Sequence, residues 1–475
     1  MASRLDRRAL PAWLAATALS ALAWWFGSGL HPQWWLTWLA PLPVLWLAPR
    51  THARWAALAA FAAYAIGGLD LWTYAHTYIG LPMAVIAYVL SLPALAFALG
   101  VLLFRRLLLR KRAVAAALAM PAVWVAIEYI NNLVSPHGTW GSVAYTQMDA
   151  LPVIQIAAVT GLWGVSFLVL LLPAAVAAQA VPQIPRRSRA AVLAVALPLV
   201  AAALIYGACR LQVPTATTLR VGLASLQAPV DPALPGASGE ALETRYVQVI
   251  QRLSSGGARV VVIPETSFST GASTVPEFAQ LAHQDNLTLD VGIDFTGDPQ
   301  ARRNMAMVFQ PGLATPATYD KHHLLPGLDP FTPGQAYRTL DGTPRIGLAI
   351  CKDMDFHDIG DAYAARGAQL MLVPADDFTV DGWLHSRMAI MRGVESGFAV
   401  ARAARKGRLT LSDDRGRVLA EASSERQDAE LVGDLPLRQA RTLYSRWGDW
   451  FAWLDLALLA ALLLSACLPV RRRAD

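Results

Sequence analysis

The stretch RIGLAICKD at residues 345–353 combines a short apolar strand with a cysteine placed where that strand ends. A second stretch, RVVVIPET at residues 259–266, has the same form and leads into Glu265. Short β-branched runs bounded by Gly or Pro are typical of buried strands. Strand ends that open onto loops are where α/β domains place reactive groups. The two stretches therefore predict an α/β domain that carries chemistry at its strand ends.

The surrounding sequence repeats the pattern of strands and helices. Short apolar runs predict strands at 219–225, 259–266, 287–295, 304–310, 345–351 and 369–374. Spacing and length predict helices at 239–255, 275–285, 357–367 and 383–397. Because strands alternate with helices, we expect a layered α/β domain over residues 215–440.

The rest of the chain has the composition of a membrane protein. The 475 residues are 55% hydrophobic and only 16% charged, whereas soluble proteins carry about 25% charged residues. Apolar runs of about 20 residues are long enough to cross a bilayer as helices. The predicted spans are 10–27, 33–48, 54–74, 82–104, 113–130, 153–181, 190–208 and 449–469. We therefore expect an α-helical membrane bundle of eight spans: seven in a membrane domain over 1–208, and one in a C-terminal segment over 447–475 that ends in a basic tail.

The net charge of +6 follows from basic residues at the ends of apolar segments, so we expect a membrane rather than a nucleic-acid partner. Basic loops alternate with loops that lack Lys and Arg, which predicts both termini in the cytoplasm and the polar region outside it, in the periplasm of a Gram-negative cell. The basic positions are Arg4, Arg7, Arg8, Arg50, Arg54, Arg105, Arg106, Arg110, Lys111, Arg112, Arg186, Arg187, Arg189, Arg471, Arg472 and Arg473.

Two acidic residues, Glu128 and Asp455, fall within predicted spans. Acidic side chains inside a membrane mark functional sites by default. A hydrogen bond that packs two helices together is the alternative interpretation, and the sequence leaves both open.

Three cysteines are present, and only Cys351 belongs to the polar region; Cys209 and Cys467 lie in or beside apolar segments. This set cannot build a disulfide framework or a zinc site. We expect no metal and no cofactor.

Glu265, Lys321 and Cys351 each sit at or just after a predicted strand or short extended segment. A cysteine nucleophile needs a base, and a carboxylate with a raised pKa serves as one. The tetrahedral intermediate needs positive charge or N–H donors at its oxyanion. We assign Glu265 as general base, Lys321 as oxyanion stabiliser and Cys351 as nucleophile, with the backbone N–H of Lys352 as a second oxyanion donor. Such a set performs acyl transfer through a thioester.

A Cys–His pair is the alternative assignment, since several histidines are available in the polar region. They are His322, His323, His357 and His385. No recognisable metal-ligand spacing links them with nearby aspartates.

The contexts VVIPET, YDKHHLLP and GLAICKD around the three residues resemble the nitrilase, or carbon–nitrogen hydrolase, superfamily. The flanking segments narrow the resemblance to the bacterial apolipoprotein N-acyltransferase family over nearly the full chain. These segments are GTWGSVAYTQ after Glu128, PVIQIAAVTGLWGVSFL at 152–168, HSRMAIMRGVE at 385–395 and TLYSRWGDW at 442–450.

The resemblance implies an α/β nitrilase-like αββα sandwich beside the membrane helices, in a multi-pass protein of the bacterial inner membrane. It implies transfer of a fatty acyl chain from a membrane phospholipid, through a thioester on Cys351, to the free N-terminal amine of a lipidated lipoprotein. We expect a monomer. Two alternatives remain: a membrane-tethered amidase or N-acyltransferase with a different amine acceptor, and an inactive membrane scaffold.

The sequence departs from the family pattern beside the reactive residues. Asp329 stands where the family has Glu after its lysine, and Lys352 and Asp353 follow the nucleophile where the family has an aromatic residue and Glu. PADDF at 374–378 replaces the family's N-D-x-W-F stretch. We therefore count Lys352, Asp329 and Asp353 as supporting residues whose neighbourhood shapes the substrate pockets.

Overall fold

A computed structural model describes residues 9–214, 217–229, 231–438 and 441–468. The predicted basic residues Arg4, Arg7, Arg8, Arg471, Arg472 and Arg473, and the edges of the predicted polar domain at 215 and 439–440, lie outside the described residues. The chain forms two compact units. One is built from the chain up to Leu133, from Gly141–Leu211 and from Asp449 onward, and the other from Val134–Trp140 and Gln212–Gly448.

The first unit is helical. Its α-helices are α1 Leu10–Gly27, α2 Trp34–Thr37, α3 Leu42–Leu47, α4 Ala53–Gly67, α5 Met83–Leu109, α6 Ala113–Val134, α7 Leu151–Ile154, α8 Ala157–Thr160, α9 Leu162–Gln179, α10 Arg186–Gln212 and α16 Trp450–Cys467. Within the described residues, six of these helices are long and apolar enough to cross a membrane, namely α1, α5, α6, α9, α10 and α16.

Two of the predicted spans differ from single membrane helices. The segment predicted at 33–48 contains the short helices α2 and α3, and Pro43 stands in the first turn of α3. Proline cannot continue a helix from the preceding turn, which explains the break. The segment predicted at 54–74 forms the 15-residue helix α4, followed by a 3₁₀ turn at Gly68–Leu71. Several spans are thus present as predicted, but not eight continuous ones.

Glu128 in α6 is surrounded by hydrogen-bond donors. Its carboxylate accepts hydrogen bonds from the indole N–H of Trp124 at 2.8 Å, from the Ser166 hydroxyl at 2.8 Å and from the backbone N–H of Val143 at 2.8 Å. These donors come from α6, from α9 and from the turn between them, so the structure favours the helix-packing interpretation for Glu128. Asp455 in α16 is 2% exposed, and neither carboxylate oxygen has a hydrogen-bond partner among the described residues.

The second unit is an αββα sandwich, the predicted nitrilase-like fold. One sheet has the strand order β13-β1-β2-β4-β5-β6, with β3 pairing β4, and the other has the order β12-β11-β10-β9-β8-β7. The strands are β1 Thr217–Ser225, β2 Val260–Val262, β3 Phe268–Thr270, β4 Thr288–Phe295, β5 Arg303–Phe309, β6 Ala317–Asp320, β7 Thr339–Leu340, β8 Ile346–Leu348, β9 Leu370–Asp376, β10 Ala399–Arg405, β11 Arg408–Ser412, β12 Val418–Ser423 and β13 Ala429–Leu437. The helices are α11 Ala237–Ser255, α12 Pro276–Gln284, α13 His357–Ala365, α14 Gly382–Ser396 and α15 Tyr444–Trp447.

Three apolar layers hold the sandwich together. The first packs α11 and α12 on the first sheet, the second fills the space between the sheets, and the third packs α13 and α14 on the second sheet. All six predicted strands and all four predicted helices are confirmed, with ends shifted by a few residues. Glu265 and Lys321 follow β2 and β6 of the first sheet, and Cys351 follows β8 of the second sheet. The packing of the two sheets therefore brings the three residues to one region.

Asp290 in β4 is a buried acid without a partner. It pairs with Val262 of β2 and Val308 of β5, and both valines belong to the layer between the sheets. Its side chain is 0% exposed, and neither oxygen has a hydrogen-bond partner among the described residues. Burial raises the pKa of Asp290 well above its ordinary value, so the folded protein holds this carboxyl protonated.

Replacing Asp290 by valine should therefore stabilise the fold. Because the folded-state pKa of Asp290 is raised, stability is lost as pH rises above the unfolded pKa, where the unfolded chain releases the proton. We expect Asp290→Val to raise the free energy of unfolding by about 1 kcal/mol or more, and the gain to grow with pH. Thermal unfolding of the full chain in detergent, measured from acid to neutral pH, checks both the sign and the slope.

Asp294 provides the matched control on the same strand and the same face. It is also buried, but it accepts a 2.7 Å hydrogen bond from the Arg302 Nε and pairs with that guanidinium. Asp294→Val should therefore destabilise the protein. If Asp290→Val lowered the free energy of unfolding as much as Asp294→Val does, the conclusion that Asp290 is buried without a partner would be wrong.

Candidate active site

Glu265 lies in the turn after β2 and is 4% exposed. The turn passes so close to β4 that a Cβ on Gly292 would stand 2.2 Å from the Pro264 carbonyl oxygen, so only glycine fits there. One carboxylate oxygen of Glu265 accepts hydrogen bonds from the Asn304 amide at 2.6 Å and the Lys321 ammonium at 2.8 Å. The other accepts the backbone N–H of Asp376 at 3.0 Å. These three donors fix the orientation of the carboxylate.

Lys321 follows β6 and is 3% exposed. Its ammonium lies 2.8 Å from Glu265 Oε1 and 2.8 Å from Asp329 Oδ2. Asp329 Oδ2 also accepts the backbone N–H of Leu325 at 2.9 Å, which closes the loop that carries both residues. The predicted supporting residue Asp329 thus contacts the predicted oxyanion stabiliser directly.

Cys351 opens a 3₁₀ turn, Cys351–Asp355, which Ala349 and Ile350 separate from the end of β8. Its φ is +46°, a backbone conformation that non-glycine residues rarely adopt. Such strain clusters at functional sites, where surrounding contacts hold the residue in place. The thiol lies 3.6 Å from the backbone carbonyl of Asp376.

Asp376, at the end of β9, lies between the thiol and the carboxylate. Its backbone N–H donates to Glu265 while its carbonyl faces the Cys351 sulfur. A single peptide segment therefore fixes the predicted base and the predicted nucleophile relative to each other. Arg405 holds this segment through a 2.6 Å contact with the Asp376 side chain.

The protonation states suit acyl transfer. Burial raises the pKa of Glu265, an effect that the Lys321 ammonium partly offsets. Burial and the Glu265 carboxylate also raise the pKa of Cys351 well above its ordinary value, so the thiol keeps its proton until a base removes it. For Lys321, burial lowers the pKa, but Glu265, Cys351 and Asp329 outweigh burial and keep it a cation.

Asp353 is fully buried and links the two segments that carry Lys321 and Cys351. One of its oxygens accepts the backbone N–H groups of His322 and His323 at 3.1 and 2.8 Å. The other accepts the Ile350 N–H at 2.9 Å and the Tyr319 hydroxyl at 2.8 Å. This predicted supporting residue therefore acts by positioning.

Lys352 is 5% exposed, and its ammonium lies 3.3 Å from Nδ1 of His137. His137 belongs to the segment Val134–Trp140, which packs in this unit although the chain supplies it directly after α6. The assignment of the Lys352 backbone N–H as an oxyanion donor stays a prediction.

The four histidines considered for a Cys–His pair have other partners. His323 contacts Asp358 at 3.0 Å, His385 contacts Asp381 at 3.1 Å, and the Tyr444 hydroxyl lies 2.6 Å from His357 Nδ1. His322 stacks on Tyr319. Within the described ranges, no hydrogen bond joins any of them to Cys351, and no cluster of His, Cys, Asp and Glu is arranged to hold a metal ion.

Asn304 and Asp376 are site residues that the sequence analysis missed. Asn304 opens the apolar stretch NMAMVFQ, and a polar residue at that position was the one available signal. The side-chain amide of Asn304 donates to Glu265. Its backbone carbonyl accepts the backbone N–H of Lys321 at 2.8 Å, so Asn304 positions both residues. Asp376 acts through its backbone, which no side-chain pattern reveals.

Two family models match the chain. Residues 20–175 match the apolipoprotein N-acyltransferase N-terminal domain, and residues 223–444 match carbon–nitrogen hydrolase. The second match covers the sandwich that carries Glu265, Lys321 and Cys351.

Similar proteins extend over most of the chain. An apolipoprotein N-acyltransferase of Geobacter metallireducens is 29% identical and covers 94% of this chain and 92% of that protein. The one from Gloeobacter violaceus is 28% identical over 94% and 93%. A human omega-amidase is 30% identical over 41% of this chain and 83% of that protein.

Among solved structures, an amidase from Nesterenkonia sp. AN1 is similar at 24% identity, with a TM-score of 0.38, and covers 46% of this chain and 93% of that chain. The αββα unit is that of a carbon–nitrogen hydrolase. With the helical unit included, the chain belongs to the apolipoprotein N-acyltransferase family.

Removing the charge of Asp329 should move the acid limb of the pH–rate profile. The Asp329 carboxylate is one of the groups that raise the pKa of Glu265. A general base must be deprotonated to act, so activity rises with pH through that pKa. In Asp329→Asn we expect the acid limb of kcat/KM for acyl-enzyme formation to move to lower pH. We also expect the plateau to fall about tenfold through the weakened contact with Lys321.

Two variants serve as controls for this profile. Asp329→Glu keeps the charge and should keep the acid limb close to its original position. Asp358→Asn removes an exposed carboxylate that pairs with His323 and should leave the limb unchanged. An unchanged acid limb in Asp329→Asn would show that Glu265 is not the group that titrates.

Proposed function

We propose that the protein transfers a fatty acyl chain from a membrane phospholipid to the free N-terminal amine of a diacylglyceryl-cysteine lipoprotein. The observation that carries this proposal is the convergence of Cys351, Glu265 and Lys321 in a chain whose full-length relatives are named apolipoprotein N-acyltransferases. The apolar helices supply the membrane setting that both lipid substrates require.

The first half-reaction forms the thioester. Glu265 takes the proton of the Cys351 thiol as sulfur attacks the ester carbonyl of the phospholipid. The Lys321 ammonium and the backbone N–H of Lys352 stabilise the oxyanion of the tetrahedral intermediate. Collapse expels the lysophospholipid alkoxide, which takes the proton from Glu265.

The second half-reaction uses the same groups in the reverse order. The neutral amine of the acceptor attacks the thioester and gives a proton to Glu265, while Lys321 again stabilises the oxyanion. The C–S bond then breaks, the amide leaves, and Cys351 recovers its proton. Asp353, Asn304 and Asp376 hold the three reacting groups in place through this cycle.

The membrane arrangement that we propose has three parts. Residues 1–208 form the membrane domain, whose seven spans include the interrupted apolar segments 33–48 and 54–74 beside five long helices. Residues 215–440 form the catalytic domain, and 447–475 form the last span and tail. The catalytic domain lies in the periplasm, both termini lie in the cytoplasm, and the protein acts as a monomer in the bacterial inner membrane. The alternation of basic loops supports this orientation.

The thioester should appear as a mass increase of the intact protein. Incubation of the full chain in detergent micelles with phospholipid should add one acyl chain, and diacylated lipopeptide should then remove it and yield a triacylated product. Cys351→Ser should abolish the hydroxylamine-sensitive adduct and reduce turnover at least a thousandfold.

Cys209→Ser and Cys467→Ser are the matched controls, since both cysteines are free and exposed. Each should retain the adduct and the transfer activity. Formation of the acyl-enzyme without transfer to the lipopeptide would instead indicate an amidase or an N-acyltransferase with another amine acceptor. Loss of the adduct in Cys209→Ser or Cys467→Ser, with retention in Cys351→Ser, would overturn the assignment of the nucleophile.

The orientation can be tested by labelling introduced cysteines in the Cys209→Ser, Cys467→Ser background. Gln251→Cys in α11 and Lys111→Cys in the loop after α5 both replace exposed residues. With the outer membrane permeabilised, a membrane-impermeant maleimide should label Gln251→Cys in intact cells and Lys111→Cys only after lysis. The opposite pattern would place the catalytic domain in the cytoplasm.

A further inference from the structure

Lys352 is a buried cation that lacks a carboxylate partner. Each other buried lysine or arginine among the described residues has a carboxylate oxygen within 4.0 Å, and these residues are Lys321, Arg387, Arg392, Arg402, Arg405 and Arg415. Lys352 has no such ion pair within the same ranges. The Asp355 carboxylate acts on Lys352 from beyond ion-pair distance. A buried ammonium without a contacting counter-charge is costly, so an anion bound directly beside Lys352 would stabilise it.

The two groups that the Lys352 ammonium contacts directly are neutral. Its ammonium donates toward His137 Nδ1 at 3.3 Å and lies 5.1 Å from the centroid of the Phe356 ring. Burial, assisted by the nearby Lys352 charge, lowers the pKa of His137 to about 4, so the imidazole is uncharged at neutral pH. A neutral imidazole that accepts at Nδ1 carries its proton on Nε2, which makes the ring a second donor beside the ammonium.

The position of His137 is built into the fold of this unit. Thr139 donates both its backbone N–H, at 3.1 Å, and its hydroxyl, at 2.8 Å, to the carbonyl of Asp355 in the turn that begins with Cys351. A Cβ on Gly138 would stand 2.5 Å from the same oxygen, so the segment lies tightly against this turn. His137 and Lys352 are therefore held together next to the nucleophile.

The site lies within electrostatic reach of the reacting groups. Burial lowers the pKa of Lys352, and the Asp355 carboxylate partly offsets this effect; the charges of Lys321, Cys351 and Asp329 also act on it. His137 is half-buried and forms the outer member of the pair, while Lys352 forms the inner one. An anion that reaches this pair would lie beside the acyl group attached to Cys351.

The phospholipid donor is the substrate whose reacting group has an anion close by. A phospholipid carries a phosphate diester a few bonds from the ester carbonyl that Cys351 attacks, whereas the lipoprotein acceptor presents an amine. We propose that Lys352 and His137 form a subsite for the phosphate of the phospholipid donor, which places the donor ester at Cys351. This inference rests on the proposed function, and it gives a role to the lysine that replaces the family's aromatic residue.

The test compares acyl donors with and without phosphate. The rate of acyl-enzyme formation is measured by intact mass for phosphatidylethanolamine, phosphatidylglycerol and diacylglycerol in mixed micelles. The native protein should prefer both phospholipids to diacylglycerol. Lys352→Met should lower the ratio of kcat/KM for the phospholipids to kcat/KM for diacylglycerol about tenfold to a hundredfold, the range for a hydrogen bond to a charged group.

Three further variants sharpen the comparison. Lys352→Arg keeps the charge and should retain most of the preference, and His137→Gln should lose part of it. Lys111→Met removes an exposed lysine of the helical unit and should behave as the native protein with every donor, which controls for attraction of anionic lipid to basic residues.

The other possible results distinguish a failure of the phosphate subsite from a failure of the proposed function. An equal loss with phospholipid and diacylglycerol in Lys352→Met, or no loss at all, would overturn the subsite and leave the proposed function standing. A further result is that inorganic phosphate inhibits the native protein while Lys352→Met keeps the native preference among donors. That combination would assign Lys352 and His137 to free phosphate and would likewise overturn the donor subsite. A native protein that forms no acyl-enzyme with any ester would instead overturn the proposed function.

Discussion

A lysine ammonium buried between two carboxylates is the interaction on which the candidate site depends. Lys321 is 3% exposed, and it is tolerated there because Glu265 and Asp329 each lie 2.8 Å away. Removing one partner from a buried ion pair costs about 3–5 kcal/mol, because an uncompensated charge remains. The turn after β2, the strand β6 and the loop that ends at Asp329 are therefore constrained to meet at one point. Because the buried Lys321 needs a carboxylate in contact with it, Glu265 is held at its position beside Lys321.

The second sheet joins this arrangement through backbone groups rather than through a second ion pair. Asp376 donates its N–H to Glu265 and presents its carbonyl to Cys351, and Asp353 accepts N–H groups from both the lysine loop and the nucleophile segment. Peptide groups hold positions with less freedom than long side chains do. The strained φ of Cys351 persists because these contacts on both sides fix the segment.

Sequence patterns were sufficient for the strands and helices whose apolar residues follow a clear period, and for the strand-end positions of Glu265, Lys321 and Cys351. They did not predict β10 to β13. In β10 the reason is clear, because the charged Arg402 and Arg405 suggest a solvent-exposed segment, whereas both are buried against Asp377 and Asp376. They overestimated the continuous spans, because proline and glycine divide apolar runs that are long enough to cross a bilayer. Asn304 and His137 could not be assigned, because their contacts join residues far apart in the chain.

The residues that depart from the family pattern touch different parts of the reaction. Asp329 contacts Lys321, the proposed oxyanion stabiliser of both half-reactions, so a shorter carboxylate at this position is expected to act on donor and acceptor alike. Asp353 keeps the acidic character of its position and spends both oxygens on four hydrogen bonds, so it acts on geometry. Lys352 adds a charge that has no carboxylate oxygen within 4.0 Å among the described residues. In the proposed mechanism, a change confined to recognition of the donor can accumulate without disturbing the thioester chemistry. Glu265 and Cys351, the groups proposed to exchange the proton, are held by contacts with Lys321 and Asp376 that do not involve the Lys352 side chain.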